Sequence, residues 1–132
     1  MNSKDEKYMK VARAISNTSN YGRVKIGSAI VKKNKVIAVG CNEKKSHPIQ
    51  KKYDSYLDYN SDKLKHSLHA EIATIVSAKE DLQGSTIYIY RKDRSGNLSM
   101  CRPCNACLAL IKRVGIKRMV YTIPNGYAEE FI

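Results

Sequence analysis

No run of apolar residues in this 132-residue chain is long enough to span a bilayer. The opening residues Asn2-Ser3-Lys4-Asp5-Glu6-Lys7 are charged and no apolar run follows them, so neither an anchor nor a secretory leader is expected. Cytosolic (cytoplasmic) residence and no membrane partner are the matching expectations. Internal repeats and low-complexity tracts are absent, and the length suits one domain over residues 1–132, with a real core but no room for a second. Acidic residues are scarce: 12 Asp and Glu stand against 24 Lys and Arg, a formal charge of +12. Such a field draws anions, phosphate esters or nucleic acid, without choosing between a single nucleotide and a polymer. No nucleic-acid module or aromatic-and-basic tract accompanies the domain, which favours the small molecule. Cysteine is sparse too. Of the four, at 41, 101, 104 and 107, three crowd into one short stretch, and in a reducing compartment metal ligation accounts for them better than two disulfides.

Periodicity organises the rest. Tyr8, Met9, Val11, Ala12 and Ile15 recur at helical spacing within 5–16, with Ser3 as N-cap. Two apolar runs, 26–31 and 36–40, flank the basic turn Lys32-Lys33-Asn34-Lys35 and read as a hairpin whose lysines solvate the turn. Residues 42–68 form a long connection with Tyr53, Tyr56 and Tyr59, room for a short helix or a lid. A buried helix begins at His69 and runs until Gly84 stops it, and a third strand follows over 86–90. From Cys104, the spacing of Cys107, Leu108, Ile111 and Val114 gives a further buried helix ended by Gly115. Residues 117–123 make a fourth strand, and Pro124-Asn125-Gly126 turns the chain toward a possible fifth over 127–132. The order implies a layered α/β fold with helices on both faces of one sheet.

The chemistry concentrates in two short segments. Cys104 and Cys107, three apart at a helix start, can close two thiolates on one ion while the helix amides favour their charge. His69 can bring an imidazole to the same point. Three protein ligands leave one tetrahedral position open, the pattern of a catalytic zinc. Three plainer readings stand beside it: a lone Cys-x-x-Cys redox pair, a structural zinc closed by Cys101 or Cys41, and Glu71 as an ordinary first-turn acid. The conjunction of Glu71 with the three donors favours proton chemistry.

His69-Ala70-Glu71 with Pro103-Cys104-Asn105-Ala106-Cys107 resembles the paired signature of the zinc-dependent cytidine and deoxycytidylate deaminase superfamily, nearest its deoxycytidylate branch. The likeness extends from the 27–39 hairpin through Val120. It implies a cytidine deaminase-like three-layer α-β-α sandwich with a five-stranded mixed sheet, both motif helices on one face, and Zn2+ held by His69, Cys104 and Cys107. It also implies that Glu71 moves a water proton to N3 of a cytosine and then supplies one to the departing amine. Ala70 would offer its amide to the base carbonyl and Asn42, unless it is only a turn residue, would touch a sugar hydroxyl. Lys25, Arg23, Lys44 and Lys45 flank the same opening as candidates for a 5′-phosphate. Arg102 is near the metal by sequence, and Tyr127 or Tyr21 is a candidate to stack on a base.

Branch cues diverge. Residues 115–121 look like the deoxycytidylate and transfer-RNA enzymes, and Ser46-His47-Pro48 resembles a stretch of the latter, but the segment from Pro48 to His69 is longer than theirs. The short tail after Ile123 suits a hairpin return, as in free-cytidine enzymes. The expected reaction is hydrolytic deamination of a deoxycytidine nucleotide, first dCMP, by a homo-oligomer. The alternatives are a deaminase acting on RNA or single-stranded DNA, a free cytidine deaminase, and a basic nucleic-acid-binding domain with a fully ligated structural zinc.

Overall fold

Two strands buried on both faces set the architecture. Residues 86–92 (Thr-Ile-Tyr-Ile-Tyr-Arg-Lys) and 118–123 (Arg-Met-Val-Tyr-Thr-Ile) alternate without a polar face, so each must be covered on both sides. In the computed structural model, which describes residues 2–22, 24–53 and 67–132, they are the third and fourth strands of a five-stranded sheet. The elements are α1 (Ser3–Ser16), β1 (Lys25–Lys32), β2 (Lys35–Cys41), α2 (Pro48–Tyr53), α3 (Ala70–Ser77), β3 (Thr86–Lys92), α4 (Asn105–Arg113), β4 (Arg118–Ile123) and β5 (Gly126–Phe131). Strand order is β2-β1-β3-β4-β5. Only β3 and β4 run parallel, joined through α4; the other three pairings are antiparallel. The expected mixed sheet, with its fifth strand returning by a hairpin, is what the chain forms.

Both hairpins rest on turn chemistry. Lys33 and Asn34 each take positive φ, 51° and 62°, the twist that a two-residue turn needs between Lys32 and Lys35. Asn125, at φ 65°, does the corresponding work between β4 and β5.

Helices cover the two faces unequally. Tyr8, Met9 and Ala12 of α1 pack with Val31, Tyr88, Tyr90 and Val120 on one side. On the other, Ile72 and Ile75 of α3 and Ala106, Leu110 and Ile111 of α4 pack with Ile30, Ile87, Ile89, Met119 and Tyr121. Two glycines set how closely the layers approach. A Cβ at Gly27 would sit 2.1 Å from the Ala12 carbonyl oxygen of α1, and one at Gly40 2.7 Å from the Thr74 backbone nitrogen of α3. Gly40 pairs with Ser28, whose hydroxyl reaches the Ala70 carbonyl at 3.2 Å and contacts the Thr74 hydroxyl. The start of α3 is thereby pressed onto β1 and β2.

Some element limits differ from expectation. Asn2, not Ser3, caps α1, its Oδ1 accepting the Asp5 N–H at 2.8 Å. The helix after His69 ends at Ser77, well before Gly84, because the Ser77 hydroxyl bonds back to the Thr74 carbonyl at 2.8 Å and Ala78 turns extended. Tyr53 is a core residue packed in the α3–α4 layer rather than part of a lid. Tyr56 and Tyr59 lie outside the described residues. Among the described residues, no helix is long and apolar enough to cross a membrane.

Candidate metal centre and active site

Both motif helices begin at a ligand. His69 is the N-cap of α3 and Cys104 the N-cap of α4; each has extended backbone, and neither side chain makes a capping hydrogen bond. That leaves the imidazole and the thiol free of capping duty and sets them at the positive ends of two helix dipoles. Cys107, fully buried, lies one turn into α4. The His69 Nδ1 stands 3.3 Å from Cys107 Sγ and 3.4 Å from Cys104 Sγ, and all three donor atoms fall within 4.8 Å of one another. Tetrahedral zinc, with bonds of about 2.3 Å to sulfur and about 2.0 Å to nitrogen, places such donors about 3.5 Å apart. The residues fit the ion.

No fourth protein donor completes the set among the described residues. Cys101, which would have closed a structural site, turns its sulfur to the Ile89 carbonyl at 3.3 Å and the Thr122 hydroxyl at 2.9 Å. Burial pushes its thiol up to about 12. Cys41 takes a 3.5 Å contact from the Thr18 hydroxyl beside α1, on the other side of the sheet. Neither cysteine is the fourth ligand that the purely structural reading names.

Electrostatics suit the donor set. The Cys107 thiol and His69 donate toward Cys104 and bring its thiol down to about 4, whereas burial holds Cys107 well above the ordinary thiol range. Metal binding therefore requires Cys107 to give up its proton. Glu71 is buried at 6 % exposure in the first turn of α3, with its carboxyl beside Cys107. Desolvation, and then the charge of Cys104, raise it above the usual carboxylate range. A raised carboxyl against a metal centre holds a proton more readily than an ordinary carboxylate does, which suits it to carry protons there.

The donors open into a cavity of about 170 Å³ whose walls include Tyr21, Val24, Ile26, Asn42, Leu68 and Arg91. Asn42 is fixed on three sides: its Oδ1 accepts from the Ser19 hydroxyl at 2.7 Å and the Ile26 N–H at 2.9 Å, and its Nδ2 donates to the Val24 carbonyl at 2.6 Å. The turn role and the pocket role of Asn42 coexist. Ala70 is fully buried at the first position of α3, where backbone N–H groups have no partner within the helix. Arg102 reaches the cavity but grips Glu130 with two bonds of 2.7 and 3.1 Å.

Other expected contacts fall elsewhere. Tyr127 does not join this cavity; it lines a separate hollow with Asn2, Asp5 and Arg118 on the α1 side. Lys25 and Lys44 are exposed and outside the cavity wall, and Lys45 pairs with Glu43 at 3.6 Å. Arg23 lies outside the described residues. Sequence reasoning missed Arg91 and Met100 in the wall, and Gln50, whose fully buried Oε1 accepts the His69 N–H at 3.0 Å. Ile26 was findable, since strand alternation turns it toward the Ser28 face; Gln50 carried no sequence signal.

Fold and donor set define a zinc-dependent hydrolytic deaminase. The chain belongs to the cytidine and deoxycytidylate deaminase family, whose zinc-binding region matches residues 2–123. It is 30% identical over 128 residues to the deoxycytidylate deaminase of Mycobacterium phage D29, covering 89% of this chain and 92% of the phage protein. Among solved structures, dCMP deaminase from the cyanophage S-TIM5 in complex with dCMP and dUMP is 26% identical, with a TM-score of 0.65 over 92% of this chain and 82% of that one. Cytidine deaminase from Burkholderia pseudomallei, 19% identical, shares the fold at a TM-score of 0.66 over 99% of this chain and 93% of its own.

Proposed function

We propose that this chain, acting as one catalytic domain, hydrolyses the amine of deoxycytidine 5′-monophosphate to give dUMP and ammonia. The carrying observation is the contact between buried Glu71 and a three-donor centre at the wall of one small cavity. Zinc, held by His69, Cys104 and Cys107, supplies Lewis acidity toward water.

The chain's own residues do the rest. Glu71 accepts a proton from the attacking water and passes it to the base N3, which makes C4 electrophilic. It then delivers the second water proton to the amine, which leaves as ammonia, so that water and cytosine give uracil and ammonia in balance. The raised carboxyl suits both directions of transfer. The Ala70 N–H takes the base carbonyl, and the second N–H of the Asn42 amide, beyond the one given to Val24, serves a sugar hydroxyl. Val24, Ile26 and Leu68 form apolar walls that exclude bulk water from the base, with Tyr21 beside them.

The choice of dCMP is supported by the phage deoxycytidylate deaminase relative and by the cyanophage enzyme's structure with dCMP and dUMP. The test is ammonia release by zinc-loaded protein from dCMP, cytidine, dCTP and a cytosine-containing oligonucleotide. One ammonia and one dUMP per dCMP, at the highest kcat/KM of the set, is expected. Preference for the oligonucleotide would transfer the activity to nucleic acid.

A further inference from the structure

The cavity contains a cation with no counter-ion among the described residues. Arg91 and Arg102 both line it, but their situations differ. Arg102 is exposed and committed to Glu130 through two short bonds. Arg91 forms no ion pair with any described carboxylate. Its Nε is buried without a hydrogen-bond partner, and its guanidinium makes one long bond, 3.4 Å, to the Met100 carbonyl. Its main chain, by contrast, is firmly held. The Arg91 N–H donates to the Thr122 hydroxyl at 3.2 Å, and its carbonyl accepts from the Ser99 N–H at 3.0 Å. A guanidinium carried on fixed backbone, half-buried and unpaired, is costly in isolation and is relieved by an anion that enters with the ligand.

We infer that Arg91 is the specificity residue of this pocket, binding a phosphate oxygen of the nucleotide and so selecting phosphorylated over unphosphorylated substrates. The inference rests on the deaminase reading above. A nucleoside brings no anion to this cavity. A nucleotide brings one, and the planar donor fork of arginine matches phosphate oxygens better than a lysine's point charge does. Lys25 and Lys44, the plainer candidates by sequence, stand outside the cavity wall. Arg91 lies next to the end of β3, where its N–H and the thiol of Cys101, three residues before Cys104, meet the same Thr122 hydroxyl.

The test compares zinc-loaded wild-type, Arg91→Gln and Arg91→Lys proteins on dCMP, dCTP and deoxycytidine. The readout is the ratio of kcat/KM for each nucleotide to that for deoxycytidine, in which any loss of folded or zinc-loaded protein cancels. In Arg91→Gln the dCMP ratio falls by about ten-fold or more, the value of one charge-assisted hydrogen bond, and Arg91→Lys recovers part of it. A parallel fall for dCTP assigns Arg91 to the α-phosphate, and a fall for dCTP alone overturns the dCMP assignment. An unchanged dCMP ratio in Arg91→Gln overturns the proposal. If neither variant folds, inhibition of the wild type decides: dUMP must inhibit about ten-fold more tightly than deoxyuridine, and equal inhibition overturns it. Absence of ammonia from every cytosine compound with the wild type defeats the deaminase reading itself, an outcome distinct from turnover that ignores the phosphate.

Discussion

The amide oxygen of Gln50 accepts the backbone N–H of His69 at 3.0 Å, so a metal ligand's main chain is gripped by a fully buried side chain of α2. A histidine ligand is only as well aimed as the backbone that carries it. Removing the grip in Gln50→Ala leaves a buried N–H without its acceptor, at a cost of about 1–3 kcal/mol. Zinc affinity should fall by about 10- to 100-fold, the usual penalty for losing a group that orients a ligand. Competition with a chromogenic chelator measures it. Unaltered zinc affinity in a folded Gln50→Ala protein would show that His69 is aimed by other contacts.

Asp5 ties the N-terminal helix to β3 and β4. Its carboxylate accepts from Arg118 at 2.9 and 2.7 Å and from the Tyr88 hydroxyl at 2.6 Å, at 3% exposure. The Arg118 hydrogen bonds are the leading cause that holds Asp5 below its ordinary value of 3.8, outweighing burial. A depressed carboxyl contributes stability that is complete above its unfolded value and is lost as pH falls through the folded one. Asp5→Asn should therefore cost about 3 kcal/mol at neutral pH, with the difference from wild type shrinking below pH 3.8. Urea unfolding of both proteins at several pH values reads this directly; a pH-independent difference would mean that the charge of Asp5 is immaterial.

The metal centre was the most legible part of the chain because its chemistry is carried by rare residue types at short range. His69, Cys104 and Cys107 needed only two helix starts to converge, and both hairpins were written in local turn residues such as Asn34 and Asn125. The substrate pocket was harder. Lys25 neighbours Ile26 in sequence, yet strand alternation sends consecutive residues to opposite faces, and only Ile26 reaches the cavity. Tyr127 was chosen for its ring, but β5 sets it in a hollow with Asn2 and Asp5. Arg91 and Gln50 owe their significance to partners distant in sequence, Thr122 for one and His69 for the other, which no local pattern announces.

Close approach between α1 and β1 makes Gly27 a stringent position. A methyl group there would lie 2.1 Å from the Ala12 carbonyl oxygen and 2.4 Å from the Ser16 backbone nitrogen, atoms that cannot move without shifting the helix. Gly27→Ala should destabilise the protein by about 3 kcal/mol or more. Thermal unfolding is the check, and a melting temperature within a degree or two of wild type would mean that α1 yields easily.

Zinc content and dCMP turnover measured together on Glu71→Gln test the central claim most directly, that three residues hold the ion while a fourth moves the protons. The variant is expected to bind one zinc per chain as the wild type does, yet to release ammonia at least about a hundred-fold more slowly, the contribution of a positioned acid–base group. Wild-type turnover in a zinc-loaded Glu71→Gln protein would contradict the account, since the proton would then travel by another route.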